Sequence, residues 1–137
     1  MMNIFEKIEK SGLKLPCCPK PLAAYTPAIR VKNTIYVSGQ LPISEDSMPT
    51  GIVPTNITVT NAQNAAATCF LNALSAALSM ISKTEDLQLV QIQGFVQCSS
   101  DFKDIPLVIN GASELALHIM EDKGVHARTA VGVASLP

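Results

Sequence analysis

Apolar residues recur along this chain with two alternating periods, and the switches between them mark out the elements. Ile4, Phe5 and Ile8 fall at helical spacing and Gly12 supplies a stop, which predicts a short amphipathic helix over residues 1–12. Residues 15–27 hold four prolines and are expected to cross the surface as extended chain. Residues 28–31 and 34–38 read as two short strands around Lys32-Asn33, a two-residue connection suited to a tight hairpin, with Asn33 able to take the left-handed conformation. Residues 44–58, with two prolines and a glycine, read as a long loop.

A longer helix is expected next, because Thr60-Asn-Ala-Gln63 matches a capping box and Ala66, Phe70, Ala73, Ala77 and Ile81 form one stripe as far as Ser82. Residues 87–98 change to alternation, with Val90, Ile92, Val96 and Cys98 on one face and Gln91, Gln93 and Gln97 on the other. Amides on a sheet face fit either plain solvent exposure or a hydrogen-bonded surface packed against a partner. Asp104 is placed to cap another helix, with Pro106 in its first turn, Ile105, Ile109, Ala112, Ala116 and Ile119 inward, and Lys123 and Gly124 at its end.

The last strand pattern sets His126, Arg128, Ala130 and Gly132 on one face and Ala127, Thr129, Val131 and Val133 on the other. The second face suits a core, and the first leaves space beside a guanidinium. Arg128 therefore reads in two ways: as an edge-strand arginine in water, or as an anchor holding a carboxylate by two parallel hydrogen bonds. The order strand, strand, helix, strand, helix, strand implies an α+β fold in a single domain over 1–137, with two helices on one face of a mixed sheet.

Composition narrows the function classes. Hydrophobic residues make up 47% of the 137 and charged residues only 15%, so a covered surface is expected and an oligomer is favoured. Ten basic and eleven acidic side chains, with no basic cluster, supply no phosphate-tracking surface, so nucleic acid is disfavoured as a partner. The four cysteines show no metal-ligand spacing, no run approaches membrane-spanning length, and the start does not read as a signal peptide. The expectation is a cytoplasmic protein with reduced thiols, without metal or organic cofactor.

Three segments, Val37-Ser-Gly-Gln-Leu-Pro42, Asn110-Gly-Ala-Ser-Glu-Leu115 and His126-Ala-Arg-Thr-Ala-Val-Gly-Val-Ala-Ser-Leu-Pro137, resemble in this order the RidA (YjgF/YER057c/UK114) family, also labelled endoribonuclease L-PSP. The resemblance runs from about Gly12 to the end, and the Val108-Ile-Asn-Gly-Ala-Ser113 run is similar to a branch distinct from the best-studied deaminases. It implies a chorismate-mutase-like mixed sheet, a homotrimer, and clefts between subunits that bind a small carboxylate. By position, Arg128 corresponds to the family's carboxylate-holding arginine. Tyr25, Ser38 and Asn110 fall where family members line the cleft, although each has a local use as ring packing, strand end or helix first turn.

Gly39 fits either a turn or a close backbone approach to a ligand, and His126, on the face of Arg128, reads either as a proton-transferring group or as an exposed or structural histidine. Two departures stand out. Ala130 replaces the cysteine that better-known deaminases carry two residues after the arginine, and the family pattern continues past the position of Pro137 into a strand with a water-positioning glutamate, so that strand is expected to be absent. The implied activity is enamine/imine deamination, a hydrolase reaction taking 2-imino acids to 2-keto acids and ammonia. The alternatives are a non-catalytic trimer that binds a small carboxylate as sensor or scaffold, and the endoribonuclease of the older label, which the charge balance disfavours.

Overall fold

A computed structural model describes residues 1–18, 20 and 24–137. Its elements run α1 (Ile4–Ser11), β1 (Ala28–Val31), β2 (Thr34–Val37), α2 (Val59–Leu78), β3 (Gln91–Gln97), α3 (Ile105–Met120), a 3-10 turn (Glu121–Gly124) and β4 (Ala127–Val133). The fold is mixed α+β, with three α-helices and two small sheets among the described residues. The extended course expected for the proline-rich stretch involves residues 19 and 21–23, which lie outside the described residues.

Asn3 caps α1 reciprocally with Glu6, and Gly12 ends the helix at φ 71. Ile4 and Ile8 are buried beneath it, Ile4 N–H donates to Asp86, and Lys7 pairs with Glu121 at 2.9 Å, so α1 is fastened to the end of α3. Together α1, α2 and α3 enclose the larger core, built from Ile4, Phe70, Leu74, Leu78, Ala116 and Ile119. A second core joins α3 to β3 and the preceding loop through Val53, Ala62, Val96, Val108 and Ile109.

Several boundaries differ from expectation. Thr58, not Thr60, caps α2 by accepting from Asn61 N–H, because the helix begins a residue before Thr60, and it ends at Leu78 rather than Ser82. Asp104 makes no side-chain cap, and α3 stops at Met120, where Glu121 takes φ 54 and the chain tightens into the 3-10 turn that Gly124 completes. In the hairpin Lys32 rather than Asn33 adopts positive φ, at 54, since the first of the two turn positions carries the reversal.

The sheet is also not one continuous layer. β1 and β2 pair antiparallel, β3 and β4 pair parallel, and no hydrogen-bonded strand links the two pairs among the described residues. The hairpin rests on α2 through β2, while Val53 adds one bridge to the end of β3 at Cys98.

The face assignment of β4 is reversed. Ala130 packs against the second core, and a Cβ on Gly132 would come within 2.7 Å of Cys98 Sγ and 3.1 Å of Ile105 Cδ1. On β3 a Cβ at Gly94 would lie 2.5 Å from Ile109. Only small residues admit α3 at that distance, so the Arg128, Ala130, Gly132 face meets the helix and Thr129 and Val131 are left open. The parallel register sets Gln91 beside Ala127, Gln93 beside Thr129 and Phe95 beside Val131, giving an exposed face of amides around an apolar centre. Val90, grouped by alternation with Ile92 and Val96, is exposed and precedes the first paired residue, Gln91.

Candidate functional site

Arg128 lies in the second position of β4, directly across from α3. The helix presents Asn110 and Ser113 three residues apart, hence on one face. Nη1 of Arg128 donates to Asn110 Oδ1 at 2.7 Å and to Ser113 Oγ at 3.2 Å. No carboxylate comes within ion-pair distance of this guanidinium among the described residues; the ion pairs there are Lys7 with Glu121, Lys14 with Glu45, Arg30 with Glu85 and Lys123 with Asp86. A surface cation held only by neutral oxygens keeps its full attraction for an external anion.

Ser113 continues the network inward. Its hydroxyl lies 3.0 Å from His126 Nε2, and His126 Nδ1 lies 2.6 Å from the Gly124 carbonyl oxygen. A carbonyl only accepts, so Nδ1 carries the proton, and in the neutral ring Nε2 is the acceptor. The Ser113 hydroxyl therefore donates to His126 while its oxygen accepts from Arg128. Gly124 is held in place by α3 itself, since a Cβ there would stand 2.5 Å from the Ala116 carbonyl oxygen.

Of the six residues anticipated from sequence, the structure thus gathers Arg128, Asn110 and His126. The other three lie at the hairpin. The Ser38 hydroxyl donates to the Thr26 carbonyl at 2.6 Å, Tyr25 is half exposed, and a Cβ on Gly39 would meet nothing within 4 Å. Within the chain they share no hydrogen bond with the Arg128 group. Ser113 was not singled out from the sequence. Its signal was the spacing of three from Asn110, which places both on the helix face that β4 covers.

Arg128 lines neither of two surface depressions among the described residues. One is lined mainly by neutral polar residues including Asn56, Asn61, Asn64 and Thr68, and the other lies between α2 and α3 around Gly111 and His118. Cys69 is remote from nucleophilic work, because burial pushes its thiol up to about 12 and keeps it protonated. No helix among the described residues is long and apolar enough to cross a membrane.

Comparison with known proteins converges on one family. Protein TCP17 of Trypanosoma cruzi is 37% identical over 140 residues, covering 98% of this chain and 86% of its own length. A 2-iminobutanoate/2-iminopropanoate deaminase of Dermatophagoides farinae is 30% identical over 129 residues, covering 93% of this chain and 87% of its own. The crystal structure of a Shewanella oneidensis protein superposes with a TM-score of 0.90 across 99% of this chain and 91% of its own, at 23% identity, a likeness of fold. The family model described as Endoribonuclease L-PSP matches residues 17–137, and with it the chain belongs to the endoribonuclease L-PSP family, the RidA/YjgF family.

Proposed function

We propose that this protein is a RidA-like deaminase that hydrolyses reactive 2-imino acids to 2-keto acids and ammonia. The observation that carries this reading is Arg128, a surface guanidinium fixed by two neutral oxygens and without a carboxylate partner among the described residues. It would clamp the substrate carboxylate while water adds to the C=N carbon, the carbon–nitrogen bond breaks, and nitrogen leaves as ammonia. The substrate is already electrophilic, so orientation and modest proton transfer suffice, and this chemistry requires neither metal nor organic cofactor. The deaminase named among its relatives supports the same assignment.

In this proposal the working unit is a homotrimer. The open face around Phe95 and Val131, and the exposed Ile29, Val31 and Tyr36 of the hairpin, are apolar surface that another copy would cover. Tyr25, Ser38 and Gly39 would then reach the Arg128 cleft from a neighbouring subunit. A non-catalytic trimer that binds a small carboxylate as a sensor or scaffold uses the same clamp without turnover, and the neutral character of Asn110 and Ser113 favours it as the second reading.

The deciding experiment measures keto-acid formation from 2-aminoacrylate, generated in place by a serine dehydratase, with wild type and Arg128→Ala. Acceleration by the wild type that is lost in the variant is the expected result. Wild-type protein that leaves the spontaneous rate unchanged, yet binds a 2-keto acid through Arg128, would establish the binding trimer instead.

A further inference from the structure

Asn110 and Ser113 both accept from Nη1 of Arg128, and Nη1 has two hydrogens, so this nitrogen is fully engaged. The three remaining N–H groups lie on Nε and Nη2, and this edge of the guanidinium matches the two oxygens of a carboxylate. The amide of Asn110 is oriented by the same contact. Its Oδ1 must face the guanidinium, which only donates, and its Nδ2 is turned away as a further donor.

Behind the cation the hydrogen bonds run in one direction when the His126 ring is neutral. Arg128 donates to Ser113, Ser113 to His126 Nε2, and His126 Nδ1 to the carbonyl of Gly124. Gly124 is buried and packed on the backbone of Ala116 and Leu117, so the series is anchored in the α3 end and emerges at an exposed side chain. A long arginine on an exposed strand otherwise samples many rotamers, and each one lost on binding weakens the complex.

We propose that Ser113 and His126 are positioning residues, which lock the Arg128 guanidinium so that a 2-oxo or 2-imino carboxylate docks side-on against its Nε–Nη2 edge. This rests on the reading of Arg128 as the carboxylate clamp. His126 acts through Ser113. Without the imidazole acceptor, the Ser113 hydroxyl is free to rotate its hydrogen toward Arg128 and to lose its role as acceptor.

The test is calorimetric titration of 2-oxobutanoate, a stable product-like acid, into wild type, Arg128→Ala, Ser113→Ala, Ser113→Thr, His126→Ala and His126→Gln, with a melting curve for each. Arg128→Ala is expected to abolish binding. Ser113→Ala and His126→Ala should each weaken it about tenfold, the scale of one hydrogen bond to a charged group. Ser113→Thr, which keeps the hydroxyl, and His126→Gln, which keeps an acceptor, should recover most of the affinity.

Wild-type affinity in Ser113→Ala and His126→Ala, with Arg128→Ala inactive, overturns the positioning roles and leaves the clamp standing. A loss in Ser113→Ala that Ser113→Thr fails to restore, or that follows a lowered melting temperature, likewise overturns them in favour of a structural role. Undiminished binding in Arg128→Ala, or none in the wild type, defeats the clamp itself.

Discussion

Arg128 Nη1 lies 2.7 Å from Asn110 Oδ1, a contact across eighteen residues of sequence that joins the second residue of β4 to the middle of α3. The partner is an amide and not a carboxylate, and that choice leaves the cation its charge. Asn110→Asp should therefore convert the site into a closed ion pair. The expected outcome is at least about a tenfold loss of 2-oxobutanoate affinity with an unchanged or raised melting temperature, whereas Asn110→Ala should cost less. Equal affinity in wild type and Asn110→Asp would contradict this account of the site.

The approach of α3 to its neighbours depends on glycine. A Cβ at Gly111 would stand 2.0 Å from the Gln63 carbonyl oxygen of α2, which is backbone and cannot swing aside. Gly111→Ala is expected to lower unfolding free energy by about 1–3 kcal/mol or more, while Gly39→Ala, with nothing within 4 Å, should be near neutral. Urea denaturation of the two variants makes the comparison.

Stability in acid should respond to Glu85. Its carboxylate accepts from Arg30 at 2.6 Å, and this hydrogen bond, followed by one from Ser82 N–H, holds it down at about 2 against an ordinary 4.5. A depressed folded-state value means that the stabilisation is complete above about 4.5 and is lost as pH falls through about 2. Melting temperatures of wild type and Glu85→Gln should thus differ at neutral pH and converge toward pH 2. Parallel curves across that window would rule out this linkage.

The open face of β3 and β4 should decide assembly. Wild type is expected to sediment near three times 14.6 kDa, and Phe95→Lys combined with Val131→Lys should give a folded monomer that no longer binds 2-oxobutanoate. A wild-type monomer at micromolar concentration would refute the intersubunit cleft.

Thiol reactivity offers a further check. Cys17 and Cys18 are exposed, and Cys69 is held protonated by burial, so a maleimide at pH 7.5 should modify the first two well before Cys69. Mass mapping of the labelled peptides reads the order directly.

Much of the local structure was legible because it follows from short-range pattern. The hairpin bounds, the Gly12 stop and the alternation at Gln91 to Gln97 depend on neighbours a few residues away. The capping of α2 was misplaced by two residues, since Thr58 and Thr60 are chemically alike and only the realised backbone shows which one accepts from Asn61. Ser113 escaped notice for a related reason: a serine in a helix has many uses, and its role appears only when β4 brings Arg128 and His126 to it.

The sequence by itself determined which segments are helix and strand, the motifs of its family, and Arg128 as the residue to examine, because periodicity and composition act within one segment. Tertiary structure alone decided which face of β4 meets α3. Alternation marks two faces without saying which one is covered, and the volume tolerance at Gly94, Ala130 and Gly132 settled it by admitting the helix on the side of the arginine. That packing set Asn110, Ser113 and His126 around Arg128, with hydrogen bonds that span residues distant in sequence and so lie beyond any local reading.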